Sequence, residues 1–213
     1  FQASGGCSCH SDPGSASSSP AGLAGGRPIK TPFGTIYGTN ITRDPETGIG
    51  SWTDEDFLRA MREGMSPKGE PYYPVFPYTS FTRMSDRDLL DLKAYLFSLE
   101  AVRRENKPPD FGFPYNSRAS VRTWRGLHFE PERFEADPSK GEEWNRGAYL
   151  ARAVAHCGEC HTPRTFMAAV DECRHYAGSA EGPEGEDAPN ITPDEKSGVG
   201  RRCSTRMVWL LQT

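Results

Sequence analysis

The chain is poor in the things that most proteins of its length use to fold and to bind. Only 35% of its 213 residues are hydrophobic, against 22 glycines and 18 prolines. That is thin material for a self-sufficient core, and it suits small domains in which a bound apolar group supplies part of the burial. Long apolar runs are missing, which excludes a membrane-spanning helix within these residues. The net charge of −4 offers no general basic field, which argues against nucleic acid as a partner. Six cysteines are too few for a disulfide-dense scaffold. The chain opens at Phe1 without the charged and apolar stretches of a secretion leader. It is therefore expected to be processed or truncated at its start.

Against that background one pentapeptide stands out, Cys157-Gly158-Glu159-Cys160-His161. Two cysteines three apart, with a histidine directly after the second, form the attachment pattern of a c-type haem. One turn of backbone lets both thiols reach the two vinyl groups of one porphyrin. The adjacent imidazole then ligates the iron. The rival readings are a zinc half-site, which needs a second Cys/His pair, and a redox Cys-x-x-Cys, which needs a βαβ setting. Neither context is visible.

A near miss to the same pattern lies in the Gly/Ser/Pro-rich segment 1–35, at Gly6-Cys7-Ser8-Cys9-His10. Cys9-His10 fits, but Cys7 is one residue too close. Three explanations compete: attachment through one thioether, with Cys9 the better bet; a distorted loop; or a residue missing beside Cys7-Ser8-Cys9.

An internal repeat organises the rest. Asn190-Ile-Thr-Pro-Asp194 and Ser197-Gly-Val-Gly200 restate Asn40-Ile-Thr-Arg-Asp44 and Thr47-Gly-Ile-Gly50, 150 residues on. The histidines are 151 apart. His10 thus opens a first domain as His161 opens a second. The mismatch of one is the reason to favour a missing residue near Cys7, with a deletion between His10 and Asn40 as the alternative. The repeat also implies that the second domain is incomplete, because Met84 and the helix after it find no counterpart before Thr213. Arg201–Arg206 stands where Ser51–Asp56 stands in the first copy, and basic residues in a first helical turn oppose the helix dipole.

The spacing predicts three helices. One opens at Thr53, with three acids in its first turn and Phe57, Leu58 and Met61 facing inward, and closes at Gly64. A second starts at Ser85 and carries Leu89, Leu92, Leu96 and Leu99 as a stripe. A third runs from about Glu142 to His156, with Gly147 permitting a close crossing, and delivers the chain into Cys157. Residues 66–82 are irregular and aromatic-rich. Residues 103–140 read as an extended strap. The expected organisation is all-α: a cytochrome-like domain over 1–102, a Pro/Arg-rich linker over 103–140 and a second domain over 141–213.

A second axial ligand raises the potential of an electron-transfer haem when it is methionine. Met84, presented from a loop ahead of a helix, is the choice for the first domain, with Met65 and the core-like Met61 as rivals. In the second domain Met167 and His175 are weak candidates, and Met207 aligns with a core position.

The chain resembles the cytochrome c subunits of bacterial membrane-associated dehydrogenases. The matching stretches are Thr31–Thr42, Gly48–Phe57, Tyr73–Asp86, Glu143–Leu150 and His156–Arg164. That family serves quinoprotein alcohol dehydrogenases, flavin-dependent sugar and sugar-acid dehydrogenases and molybdenum-dependent oxidoreductases. The resemblance implies two covalently attached haem c groups. One would be held by Cys157, Cys160 and His161, the other by Cys9, with Cys7, together with His10 and Met84. It implies one-electron relay rather than bond-making, from a dehydrogenase subunit to a quinone or terminal oxidase. It also implies the periplasm, at the outer face of the cytoplasmic membrane, with membrane association through partners or a further segment. Family members often carry a third haem domain and an anchor, which this sequence does not show. It departs from the family pattern at Gly6/Cys7, Phe166–His175 and Arg201–Arg206. A dihaem peroxidase or thiosulfate dehydrogenase with an open iron in the second domain is the rival expectation.

Overall fold

The computed structural model describes residues 8–11, 20–180 and 187–201. The chain forms two compact units, Phe1–His156 and Cys157–Thr213. Cys7, Cys203 and Met207 lie outside the described residues.

The first unit is built on two of the expected helices. α1 spans Asp54–Glu63. Thr53 and Asp56 form a capping box: Asp56 N–H donates to Thr53 Oγ1 at 3.1 Å, and Thr53 N–H donates to Asp56 Oδ2 at 3.2 Å. Gly64 ends the helix at φ 63°, and a Cβ there would lie 2.5 Å from the Tyr78 ring. After a single turn, α2 (Tyr78–Phe81), comes α3 (Asp86–Ser98), with Ser85 as its N-cap. Phe57 and Met61 of α1 meet Leu89 and Leu96 of α3 in one core with Leu23, Ile49 and Met84. Leu58, Leu92 and Leu99 pack at its margin. Lys93 ties the two helices together, its ammonium 2.7 Å from Asp54 and 2.9 Å from the Trp52 carbonyl.

The unit is mostly helical, with few strands. A small antiparallel sheet joins β1 (Pro28–Thr31), β2 (Gly34–Tyr37) and β3 (Asp110–Phe111) in that order. Thr31 Oγ1 closes the Pro32-Phe33 turn on Gly34 O at 2.8 Å. Gly34 sits at φ 131°, where a Cβ would meet Asp110 O at 2.1 Å. So β3 approaches β2 only because Gly34 has no side chain. The sequence reads as loop here because its apolar residues are too few for alternation to register.

The strap is likewise more structured than its composition implies. Residues 118–128 form α4, capped by Ser117 and burying only Val121. Arg125 Nε donates to Glu63 O at the end of α1 (2.9 Å), and Arg118 donates to Pro71 O (2.9 Å). The helix is polar on most of its surface and depends on these anchors rather than on an apolar face. Before it, residues 102–106 are bound to the Asn40 loop. Asn40 is 2% exposed and donates to Val102 O at 2.7 Å. Arg104 N–H reaches Thr47 Oγ1 at 3.0 Å, and the Asn106 amide reaches Thr47 O at 2.9 Å.

The third expected helix divides into α5 (Glu142–Tyr149) and one π-helical stretch, Leu150–Val154. The sequence reading assigns it to the second domain. In the structure it belongs to the first unit, with Tyr149 and Ala153 in that unit's core. Its buried stripe is Tyr149 and Ala153, not Gly147. Gly147 is exposed, and a Cβ there would touch nothing within 4 Å. The close crossing expected at Gly147 is therefore absent among the described residues.

In the second unit, α6 (Cys157–His161) is followed by a hairpin closed at Arg164 and Val170, a 3-10 turn at Glu172–Arg174 and the Asn190 loop. The repeat is a repeat of hydrogen bonds. Gly25 N–H donates to His10 O at 2.8 Å, and Gly178 N–H to His161 O at 2.8 Å. Ile49 N–H donates to Thr42 O, and Val199 N–H to Thr192 O, both at 2.9 Å. Gly178 thus matches Gly25, and the one-residue mismatch of the offsets is absorbed in the loops between His10 and Asn40. A residue restored ahead of His10 would move His10 and Asn40 alike and could not remove it. The offset therefore gives no ground for a missing residue beside Cys7.

Candidate functional site

Each unit carries the same histidine arrangement. His10 Nδ1 lies 2.8 Å from Thr39 O, and His161 Nδ1 lies 2.8 Å from Pro189 O. A carbonyl can only accept, so each Nδ1 carries a proton, and in the neutral ring it is Nε2 that has the lone pair. This is the tautomer of a metal-ligating histidine, and a backbone carbonyl is the partner that commonly fixes it. Burial also lowers the His10 pKa, against the opposing effect of the Thr39 carbonyl, and so favours the neutral, ligating form.

The thiols of the second unit are placed by α6. Cys157 and Cys160 stand one turn apart on it, on one side, both half-buried. Burial raises the Cys157 thiol pKa. Arg164 clamps the turn by donating to both the carbonyl and the carboxylate of Glu159, each at 2.7 Å. At Gly158 a Cβ would come 2.7 Å from His175 Nε2, so the imidazole of His175 lies directly against the turn that carries the two thiols. Met167 sits in the hairpin beside the 94%-exposed Phe166. In the first unit Cys9 is exposed beside His10.

Met84 is 4% exposed in the core of the first unit. Its rivals sit differently: Met61 is core on α1, and Met65 pairs with Pro71 in the loop after it. What distinguishes Met84 is how firmly its backbone is held. On one side the buried Arg62 donates to Thr82 O at 2.9 Å and pairs with Asp86. On another, Thr82 Oγ1 exchanges hydrogen bonds with the backbone of Glu132, Arg83 pairs with Glu132, and Phe134 N–H donates to Arg83 O at 3.3 Å. On a third, Tyr149 reaches the Ser85 backbone. Sequence reasoning misses Arg62 and Tyr149. Arg62 occupies an ordinary helical position, and the only signal for Tyr149 is its i, i+4 spacing from Ala153.

These features fit a covalently held haem. A thiol pair lies one helical turn apart, and in each unit an imidazole is held by a carbonyl through Nδ1. Among the described residues no group of three or more His, Cys, Asp or Glu side chains converges as a metal cluster. Among them, too, no helix is long and apolar enough to cross a membrane.

No protein-family model matches the chain. Curated relatives do. A diheme cytochrome c-type protein of Cereibacter sphaeroides is 43% identical over 195 residues, covering 91% of this chain and 65% of that protein. The fructose dehydrogenase cytochrome subunit of Gluconobacter japonicus is 39% identical over 193 residues, covering 90% of this chain and 39% of the relative. A nicotinate dehydrogenase subunit of Pseudomonas putida is 48% identical over 146 residues, 68% of this chain but only 12% of the relative. The chain thus spans less than two thirds of the length of each of these relatives. It is homologous to a diheme cytochrome c and to cytochrome c subunits of bacterial dehydrogenases.

Proposed function

We propose that the chain is a dihaem electron relay that takes electrons from a catalytic dehydrogenase subunit and passes them to a quinone or terminal oxidase outside the cytoplasm. The observation that carries this reading is the duplicated Nδ1–carbonyl bond at His10 and His161, one for each attachment motif. Bound haem c would supply a reversible one-electron ferric/ferrous couple; the polypeptide supplies everything else. His10 and His161 would each hold an iron through Nε2. Cys157 and Cys160, and Cys9 with Cys7, supply the thioethers. Met84 would hold the iron of the first site through its thioether, a ligand that stabilises the reduced state and raises the potential. The core around Met84 is apolar and buried, and would keep water from its thioether. The relatives' names support a dehydrogenase partner; we read it as a quinoprotein, flavoprotein or molybdoprotein.

The test is electron acceptance. The oxidised chain is mixed with a catalytic dehydrogenase subunit of the kind named for its relatives (fructose, alcohol or gluconate dehydrogenase) and that enzyme's substrate, and the haem absorbance is followed. Reduction that depends on both enzyme and substrate is expected, followed by reoxidation on adding quinone. Peroxide-dependent turnover by the chain alone, with no reduction by the dehydrogenase, would replace the relay with the dihaem-enzyme reading.

A further inference from the structure

The N-termini of α1 and α3 carry the same sequence signal, Thr53-x-x-Asp56 and Ser85-x-x-Asp88. In both, the N-cap hydroxyl accepts from the backbone of the third residue, at 3.1 Å in each case. The reciprocal bonds differ. At α1 the Asp56 carboxylate accepts from Thr53 N–H directly, at 3.2 Å. At α3 a tyrosine stands in between: Ser85 N–H donates to Tyr149 Oη at 3.0 Å, and Tyr149 Oη–H donates to Asp88 Oδ2. The capping box of α3 is therefore relayed through a side chain far away in sequence. Tyr149 is buried, and its ring is held edge-on by Phe134 at 5.4 Å and covered by Arg146 at 5.5 Å. Burial raises its pKa, so the hydroxyl keeps the proton that it donates.

A direct capping box would have closed α3 without help. The relayed one makes the residue after Met84 answer to the position of α5. We infer that Tyr149 is a positioning residue for the Met84 thioether: its hydroxyl fixes the Ser85 backbone and thereby keeps Met84 from leaving the iron. This rests on Met84 being the sixth ligand of the first haem.

The experiment uses the full holoprotein and variants Tyr149→Phe, Asp88→Asn and Met84→Ala, with imidazole as the probe. Imidazole is titrated against the ferric protein, and binding is resolved per haem. Wild type sets the affinity at the first haem. Tyr149→Phe keeps the ring and loses only the relay, so its affinity at that haem is expected to rise about tenfold, the equivalent of ~1.4 kcal/mol for one hydrogen bond. Asp88→Asn, which keeps an acceptor for the tyrosine hydroxyl, is expected to rise less. Helix content and haem content serve as controls against unfolding. If Met84→Ala opens the first haem but Tyr149→Phe binds imidazole as wild type does, the positioning role is wrong and the ligand assignment stands. If Met84→Ala leaves imidazole affinity unchanged at both haems, the ligand assignment fails and the inference goes with it.

Discussion

The repeat supplies a paired experiment, because the same asparagine occurs twice in the same turn with different surroundings. Asn40 is 2% exposed and makes four side-chain hydrogen bonds. It donates to Thr47 Oγ1 (3.0 Å) and Val102 O (2.7 Å), and accepts from Thr42 N–H (2.9 Å) and Thr42 Oγ1 (2.8 Å). Two of its partners, Thr42 and Thr47, are themselves buried. Asn190 donates to Ser197 Oγ at 2.9 Å and accepts from Thr192 N–H at 2.8 Å, in a loop that is largely exposed. Truncating Asn40 to alanine strands buried partners, each worth about 1 kcal/mol net and more where water cannot enter, for a loss of about 3–5 kcal/mol. Truncating Asn190 lets water replace both bonds, for a loss of about 1 kcal/mol or less. Urea unfolding of the holoprotein, followed by circular dichroism, measures both. Limited trypsin digestion adds a local readout. Asn40→Ala should expose the bonds after Arg103 and Arg104, because the strap at 102–106 loses its hold; Asn190→Ala should not. Equal stability losses, or equal cleavage at the strap, would refute the claim that the Asn40 loop is a buried lock for the strap.

Other outcomes follow from the same geometry. Met84→Ala should lower the midpoint potential of one haem and leave the other within a few millivolts, as read by optical redox titration; an unchanged pair of potentials would remove Met84 from the iron. Asp44 and Asp194 both have lowered pKa values, chiefly because backbone N–H groups of Thr47 and Ser197 bind their carboxylates. A depressed folded-state pKa stabilises above the ordinary carboxylate range, and the stabilisation is lost as pH falls through the lowered value. The thermal-midpoint gap between wild type and Asp44→Ala should therefore be full near pH ~7 and narrow toward pH ~2; a gap independent of pH contradicts the assignment. Gly64→Ala forces a left-handed residue with its Cβ against the Tyr78 ring, and should cost about 2–4 kcal/mol in denaturant unfolding, whereas Gly→Ala at an exposed helical position stabilises; a gain in stability would contradict the cap assignment.

Local signals carry the parts of the fold that are legible in the sequence. Thr53, Gly64 and Ser85 mark helix ends, and the structure places α1 and α3 on those marks. The repeat is readable because Asn-x-Thr and Asp-x-x-Thr/Ser turns bond within themselves. What stays hidden depends on distant partners. β3 is two residues long and exists because Gly34 admits it. α4 has no wide apolar face and is held by arginines that reach other elements. The third helix follows the tyrosine bond to Ser85 into the first unit, which a search for small-residue crossings at Gly147 could not find. At the two Cys/His motifs, residue type and spacing single out His10 and His161 as candidates, but the carbonyls that face them, of Thr39 and Pro189, come only with the fold.

The central claim is that each unit holds one haem c. Pyridine haemochrome analysis of the purified, denatured protein, with haem counted per chain, tests it most directly. Two haems that stay attached through denaturation are the expected result, and the position of the band then reports whether Cys7 shares the first ring with Cys9. A single covalent haem, lost from the Cys157→Ala/Cys160→Ala variant, would leave the first motif without its cofactor, and a colourless chain would contradict the account outright.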